Sequence, residues 1–452
     1  MIQRCIAVFR DSPGEGLLKN ILALTSVQFF RKILPLITIP YLARMLGPAS
    51  WGLVAIFQSL AMCTVIVIEF GFQLFATRQI ARCRHSKDLM EDVFMGVLAA
   101  QGLLALGAAL AVAVVAPFVP VLHDHPAFVV SALLWSIAEG LNPIWYFIAV
   151  ERMKAAAVIE ICAKSAAAAA IFILVHSEND AGIVMAVQAI APILSIMGAL
   201  CLVRRDISFR APSVRLIREA FRGGWSMFIM RGAESLYTLG NAFLLGLLAG
   251  PVAASYFAGP EKISRALVGW LNPVRDALYP RLSKLVHTSL PKAERLARGG
   301  ITVMILGGMG MGLLVFLLAP IFVHLLFGPR FEPAVQVLRI LAILPPLTSV
   351  TQSIGLLWLL PLGHERVVSR AIIATGVLNV LLAILLVPKH GFIGMAWVVI
   401  CSEAFACACI VCAALAVGRP EPVPAAFELT ANDSVGGSET EVAIETSLEA
   451  VR

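Results

Sequence analysis

Long apolar runs alternate with short polar connections along the chain. A helix that crosses a bilayer needs about 20 predominantly apolar residues. Twelve runs meet that length, at residues 20–43, 51–74, 93–116, 127–149, 155–176, 181–203, 224–249, 252–279, 299–326, 333–360, 367–388 and 391–417. The pattern predicts an all-α polytopic membrane protein.

The connections differ in charge. Those after the odd-numbered runs, such as LGPAS, VLHDHP, HSEND and AGP, hold almost no basic residues. Those after the even-numbered runs are basic: Arg78, Arg82, Arg84 and Lys87, then Arg152 and Lys154, then Arg204 to Arg222, then Arg281, Lys284, Lys292, Arg295 and Arg298. By the positive-inside rule these connections and both termini are cytoplasmic. The connection at 204–222 divides the helices into six and six, so two repeats would share one orientation and be related by a pseudo-two-fold axis along the membrane normal. A weak internal match agrees. The shift that carries Gly47-Pro48 onto Gly250-Pro251 also carries Gln28, Arg31, Pro35 and Thr38 onto Arg231, Glu234, Thr238 and Asn241, and Glu69 onto Asn272. The predicted organisation is a cytoplasmic segment (1–16), a six-helix lobe (17–203), a basic linker (204–222), a second six-helix lobe (223–417) and a tail (418–452), with the lobes around a central cavity.

Composition narrows the class. Hydrophobic residues make up 59% and charged ones 14%, and the mean hydropathy of +0.88 is outside the range of soluble domains. The net charge of +7 resides in the basic connections, so it is a topology signal, and no nucleic-acid partner is implied. Most of the nine cysteines lie inside apolar runs and read as packing residues without disulfides or metal spacing. The first apolar run is too long for a cleaved signal peptide. The acidic, Ser-, Thr- and Pro-rich tail from Gly418 lacks a core-forming pattern and is expected to be disordered.

Charges inside the apolar runs carry the functional signal, because each costs about 2.5–3.5 kcal/mol or more unless paired or hydrated. At 100° per residue, Glu261, Arg265, Asn272 and Arg275 fall on one polar arc of the eighth run. Arg231, Glu234, Thr238 and Asn241 form a stripe on the seventh, and Gln28, Arg31 and Thr38 one on the first. Three such stripes can share a water-filled cavity. Basic groups outnumber nearby acids, which favours an anionic ligand, and arginine suits a phosphate or carboxylate held by a planar fork. Arg31, Arg231, Arg265, Arg275, Asn241 and Asn272 are therefore candidate substrate-binding residues. Glu69, Glu234, Glu261 and Glu403 are candidates for coupling to Na+ or H+, or for pairing with the arginines; Glu234 or Glu261 can pair with Arg265. Arg31 and Arg275 can instead reach the cytoplasmic interface. His123-Asp124-His125 resembles a metal site only superficially, and the sequence calls for no metal or cofactor. It has no G-x-x-x-x-G-K-[ST] phosphate loop, no D-x-D pair and no large external loop to hold a catalytic centre.

LPLITIPYLARMLGPASWGLVAIFQ (Leu34 to Gln58) and EFGFQLFATRQIAR (Glu69 to Arg82) resemble the opening of the Wzx-type polysaccharide flippases of the multidrug/oligosaccharidyl-lipid/polysaccharide exporter superfamily. SYFAGPEKISRALVGWLNPVRDALYPRLSK (Ser255 to Lys284), FGPRFEPAVQVLRILA (Phe327 to Ala342) and the segment from Val377 to Glu403 resemble its second half. The resemblance implies translocation of a polyprenyl-diphosphate-linked oligosaccharide from the cytoplasmic to the periplasmic leaflet of a bacterial inner membrane by alternating access. It also implies a role beside other polysaccharide-assembly proteins. Two alternatives remain: an ion-coupled drug antiporter of the same superfamily, which would carry mainly acids in its cavity, and a membrane polymerase or ligase of the same pathway, which would need a catalytic loop.

Overall fold

A computed structural model describes the backbone of residues 15–417 except Arg84 and Ala211; the side chains of residues 15–33 and of a few scattered positions lie outside the description. Of the predicted segment 1–16, residues 1–14 lie outside the described residues, as do the predicted tail 418–452 and the side chain of Arg31. The described chain is helical: α1 (Glu15–Glu69), α2 (Phe72–Arg82), α3 (Lys87–Val115), α4 (Pro120–His123), α5 (Pro126–Gly140), α6 (Ile144–Ala149), α7 (Met153–Leu174) and α8 (Ala181–Val203) form its first half. The second half contains α9 (Val214–Thr238), α10 (Asn241–Val268), α11 (Asn272–Thr288), α12 (Leu290–Leu326), α13 (Pro333–Leu341), α14 (Leu344–Ile354) and α15 (Glu365–Val417). Among the described residues, nine helical stretches are long and apolar enough to cross a membrane.

Three of these stretches contain a glycine with non-helical backbone: Gly47 in α1, Gly250 in α10 and Gly391 in α15. The chain folds back at the last two. Asn241 and Glu261, 20 residues apart, are hydrogen-bonded at 2.9 Å, whereas a straight helix would separate them by about 30 Å. Asn379 and Ser402, 23 residues apart, meet at 3.3 Å across Gly391. Gly47 (φ 67°, ψ 177°) and Gly250 (φ 83°, ψ 173°) share one backbone conformation, a region open essentially to glycine.

Prolines explain several other breaks, since the ring removes a donor and clashes with the preceding turn. The run at 127–149 is interrupted at Leu141–Pro143, and the run at 333–360 restarts at Leu344 ahead of Pro345. The run at 252–279 is broken by a single 3-10 turn at Gly269–Leu271 before Pro273. Much of the basic connection at 204–222 is itself helical, starting at Val214 with Ser213 as N-cap. Its first part lies against the first half: Asp206 accepts from Arg152 at 2.8 Å, and the Ser208 N–H donates to Glu91.

Large apolar side chains point outward along the helices. Leu103, Leu106, Leu110 and Val114 do so on α3, and Leu306, Leu313, Leu317, Ile321 and Leu325 on α12. In water such faces would aggregate; in a bilayer they meet lipid tails. The protein is a multi-pass membrane protein.

The halves pack at both ends: α9 lies against α2 and α3 near the basic connections, and α1 meets the second half at the other end. A buried cluster there combines Leu42, Leu46, Trp51 and Phe57 of α1 with Val315, Val323, Phe327 and Leu338 of the second half. Helices α1 and α10 come so close that a Cβ on Gly52 would lie 1.8 Å from the Pro251 carbonyl oxygen. Arg330 pairs with Glu178 across the same seam, and Arg44 donates to the Leu325 carbonyl.

Candidate functional site

Toward the end that carries the basic connections, a cavity of about 860 Å³ lies between α2 and the second half. Its walls come from α2, α9, α10, α11, α14 and α15. Of the residues singled out in the sequence, Glu234, Arg265, Asn272, Arg275 and Glu403 line it.

The inner end is a charge network. Arg265 donates through Nε and Nη2 to one oxygen of Glu261, at 3.1 and 3.0 Å, and through Nη2 to the Tyr237 carbonyl at 3.3 Å. Asn241 donates to the same Glu261 oxygen and is itself wholly buried. Of the two acids that the sequence offers Arg265, it is Glu261, one helical turn away, that holds it. Glu234 and Glu403 lie near enough to act electrostatically on Tyr237, whose carbonyl Arg265 contacts, and Glu403 sits beside the hydroxyls of Thr348 and Thr351. One carboxylate, Glu261, thus grips the guanidinium, and Glu403 acts on it from farther off. Asn241 and Glu261 support the cavity from behind and do not line it.

Arg275 lies one turn beyond Asn272, donating to Asp276 at 2.9 Å and to Gln352 at 3.4 Å. Arg231 falls outside the cavity wall and faces Glu69 at 3.7 Å. Glu69 also accepts from Gln73 at 2.8 Å. His123 meets its neighbour Asp124, and the His125 ring packs on Phe128.

Two groups of residues with a place in this architecture were not singled out as site residues in the sequence. The first is Arg78, Gln79 and Arg82 on α2, which line the cavity at its basic end. They are turned inward by a break in the helix at Phe70 (φ 44°) and Gly71 (φ 72°). A phenylalanine in the left-handed region is strained, and it is held by rings of the second half: Phe228 stacks on it at 4.3 Å, and Phe221 and Trp225 flank it. The second is Lys262. It faces away from the cavity into the seam, donating to Gln58 at 2.8 Å with its ammonium 5.2 Å from the ring centre of Trp51. Gln58 in turn donates to Gln188 at 3.0 Å.

A cavity of this size between two helical halves, lined by both polar and apolar side chains and closed at one end, is the form of a carrier and not of a pore. Residues 17–286 match the family described as polysaccharide biosynthesis protein. The chain is 30% identical over 390 residues to a protein of Escherichia coli (strain K12) named "Putative O-antigen transporter", spanning 86% of this chain and 94% of that one. A Shigella dysenteriae protein of the same name is 29% identical over 387 residues, spanning 83% and 94%. Among solved structures, the lipid II flippase MurJ in an inward closed conformation superposes with a TM-score of 0.65 at 12% identity, covering 87% of each chain. An outward-facing MATE multidrug-resistance transporter of the MOP superfamily gives 0.55 at 14% identity, covering 90% of this chain and 96% of that one. At such identities these two structures establish the fold. Both sequence relatives carry the name of a transporter, and the family model covers more than half of this chain. The chain belongs to the polysaccharide biosynthesis protein family.

Proposed function

We propose that the protein carries a polyprenyl-diphosphate-linked oligosaccharide from the cytoplasmic to the periplasmic leaflet of a bacterial inner membrane, by alternating access between two six-helix lobes. The observation that carries this reading is the cavity of about 860 Å³, walled by both halves and sealed at the end away from the basic connections. By the positive-inside rule the open end faces the cytoplasm, where a lipid-linked sugar is assembled. The volume falls in the range of sites that enclose sizeable ligands, and Asn272, Thr348, Thr351 and Gln352 offer hydrogen bonds to sugar hydroxyls. Arg265 and Arg275 supply positive charge to the same wall, and the polyprenyl chain stays in lipid.

The carboxylates around Arg265 support a second element of the reading. Glu403 is buried at 6% exposure and, with Glu234, is the candidate for coupling transport to H+ or Na+. A proton on Glu403 would remove its long-range attraction for Arg265, which Glu261 holds directly, and so change the charge of the inner end during the cycle.

Reconstitution tests both elements. Purified protein in liposomes is given a fluorescent polyprenyl-diphosphate oligosaccharide in one leaflet, and its appearance in the other is followed by quenching. Transfer that depends on the protein supports the function, and no transfer above protein-free liposomes refutes it. Coupling is refuted separately if imposed proton and sodium gradients leave the rate unchanged. An exporter of cationic drugs is the competing reading, and it predicts that organic cations, not lipid-linked sugars, drive transport.

A further inference from the structure

We infer that Arg78 and Arg82 form a diphosphate-docking site at the mouth of the cavity, separate from the inner Arg265 network. The inference rests on the transport reading above and names where the anionic part of its substrate is held.

The argument is one of charge accounting. Each inner or neighbouring arginine already has a carboxylate: Arg265 has Glu261, with Glu234 and Glu403 close by; Arg275 has Asp276; Arg231 has Glu69. A diphosphate brought to Arg265 would have to compete with Glu261 and would meet the negative charge of Glu403 nearby. Arg78 and Arg82 stand differently. Among the described residues neither has an ion pair or a hydrogen-bonded partner through its side chain, and both are exposed on the cavity wall. Glu365, in the first turn of α15, is the acid that shares this end of the wall with them.

The geometry suits the ligand. Arg78 and Arg82 are four residues apart on one helix, so they are neighbours on one face, with Gln79 beside them. Phe72, Ala76 and Ile80 anchor the opposite face of α2 in a buried cluster. The break at Phe70 and Gly71 holds the helix in place, and a Cβ on Gly71 would lie 2.7 Å from Met227 and 2.9 Å from the Gly224 carbonyl oxygen of the second half. Two guanidinium forks fixed in this way can each take phosphate oxygens in bidentate fashion.

Anionic lipid headgroups share this phosphate chemistry, so the test separates the two sources. Full-length protein in neutral detergent is titrated with farnesyl diphosphate, with farnesyl monophosphate, and with phosphatidylglycerol as competitor, and binding is read by native mass spectrometry. The comparison variants are R78Q/R82Q, R78K/R82K and R215Q/R218Q; the last removes the same charge from exposed positions outside the cavity wall. Thermal unfolding checks that each variant is folded. The expected result is roughly 30-fold weaker diphosphate binding in R78Q/R82Q, the scale of a lost charge-assisted pair, with partial retention in R78K/R82K and less than about 2-fold change in R215Q/R218Q. Wild-type affinity in R78Q/R82Q overturns the assignment, as does an equal loss in R215Q/R218Q, which would mean diffuse surface charge. Displacement by an equal concentration of phosphatidylglycerol also overturns it, in favour of a lipid-headgroup site. Failure of the wild-type protein to bind any polyprenyl diphosphate refutes the transport reading itself.

Discussion

Glu178 at the start of the last first-half helix and Arg330 in the second half form an ion pair beside Gly47, at the end of the molecule opposite the cavity. The pair joins two halves that must separate there if the cavity is to open on the other side. Both side chains are more than half exposed, at 56% and 65%, so the pair contributes about 0.2–1 kcal/mol. Replacing Glu178 by Gln is expected to raise the population opened at this end by about 2- to 5-fold. The exchange E178R/R330E is expected to return it toward wild type. Distance distributions between spin labels placed across the seam measure the shift.

Lys262 is held by neutral partners, the Gln58 amide oxygen and the Trp51 ring. Gln58→Leu strands the ammonium in the seam and is expected to cost about 1–3 kcal/mol. Adding Lys262→Met removes the stranded charge and recovers most of that loss. Thermal unfolding of the two single variants and the double in detergent gives the coupling.

Gly52 has no room for a side chain, because the Pro251 backbone occupies the position of its Cβ. Gly52→Ala is expected to push α1 from α10 at a cost of about 3 kcal/mol and to abolish transport at normal protein amounts. Gly107→Ala, where nothing lies within 4 Å, is the matched control and should leave both unchanged.

Glu261 is the direct partner of Arg265 and also accepts from Asn241. Glu261→Gln removes the charge that holds the guanidinium and is expected to destabilise the fold by about 3 kcal/mol, the scale for breaking a buried pair from one side. The double variant E261Q/R265Q is expected to be more stable than E261Q alone, although both lose the network. Chemical-shift or thermal measurements that find the two equal would remove Arg265 from the pair.

The apolar runs made most of the spans legible, because length and hydropathy alone decide what can cross a bilayer. Gly47-Pro48 and Gly250-Pro251 marked two turns correctly, since few other residue pairs adopt that backbone. The helix breaks were less legible. Pro273 sits in the first turn of a new helix, so the arc through Glu261, Asn272 and Arg275 does not continue on one unbroken cylinder. The place of Lys262 in the seam is not legible, because periodicity orders residues around a helix without saying which face meets the partner half. Arg78 and Arg82 read as part of the topology signal for a similar reason. A basic residue near the end of a span reads as an interfacial charge whether its helix points outward or folds under the cavity, and Phe70 does not advertise a left-handed backbone.

That one residue's backbone has a consequence for how selectivity can evolve in this architecture. With Phe70 in a helical conformation, α1 would run on into water and carry Arg78 and Arg82 with it, leaving composition and net charge unchanged while the vestibule lost its positive lip. Which anions gain entry would then be governed by a bend of the main chain, and relatives with the same arginines need not admit the same cargo.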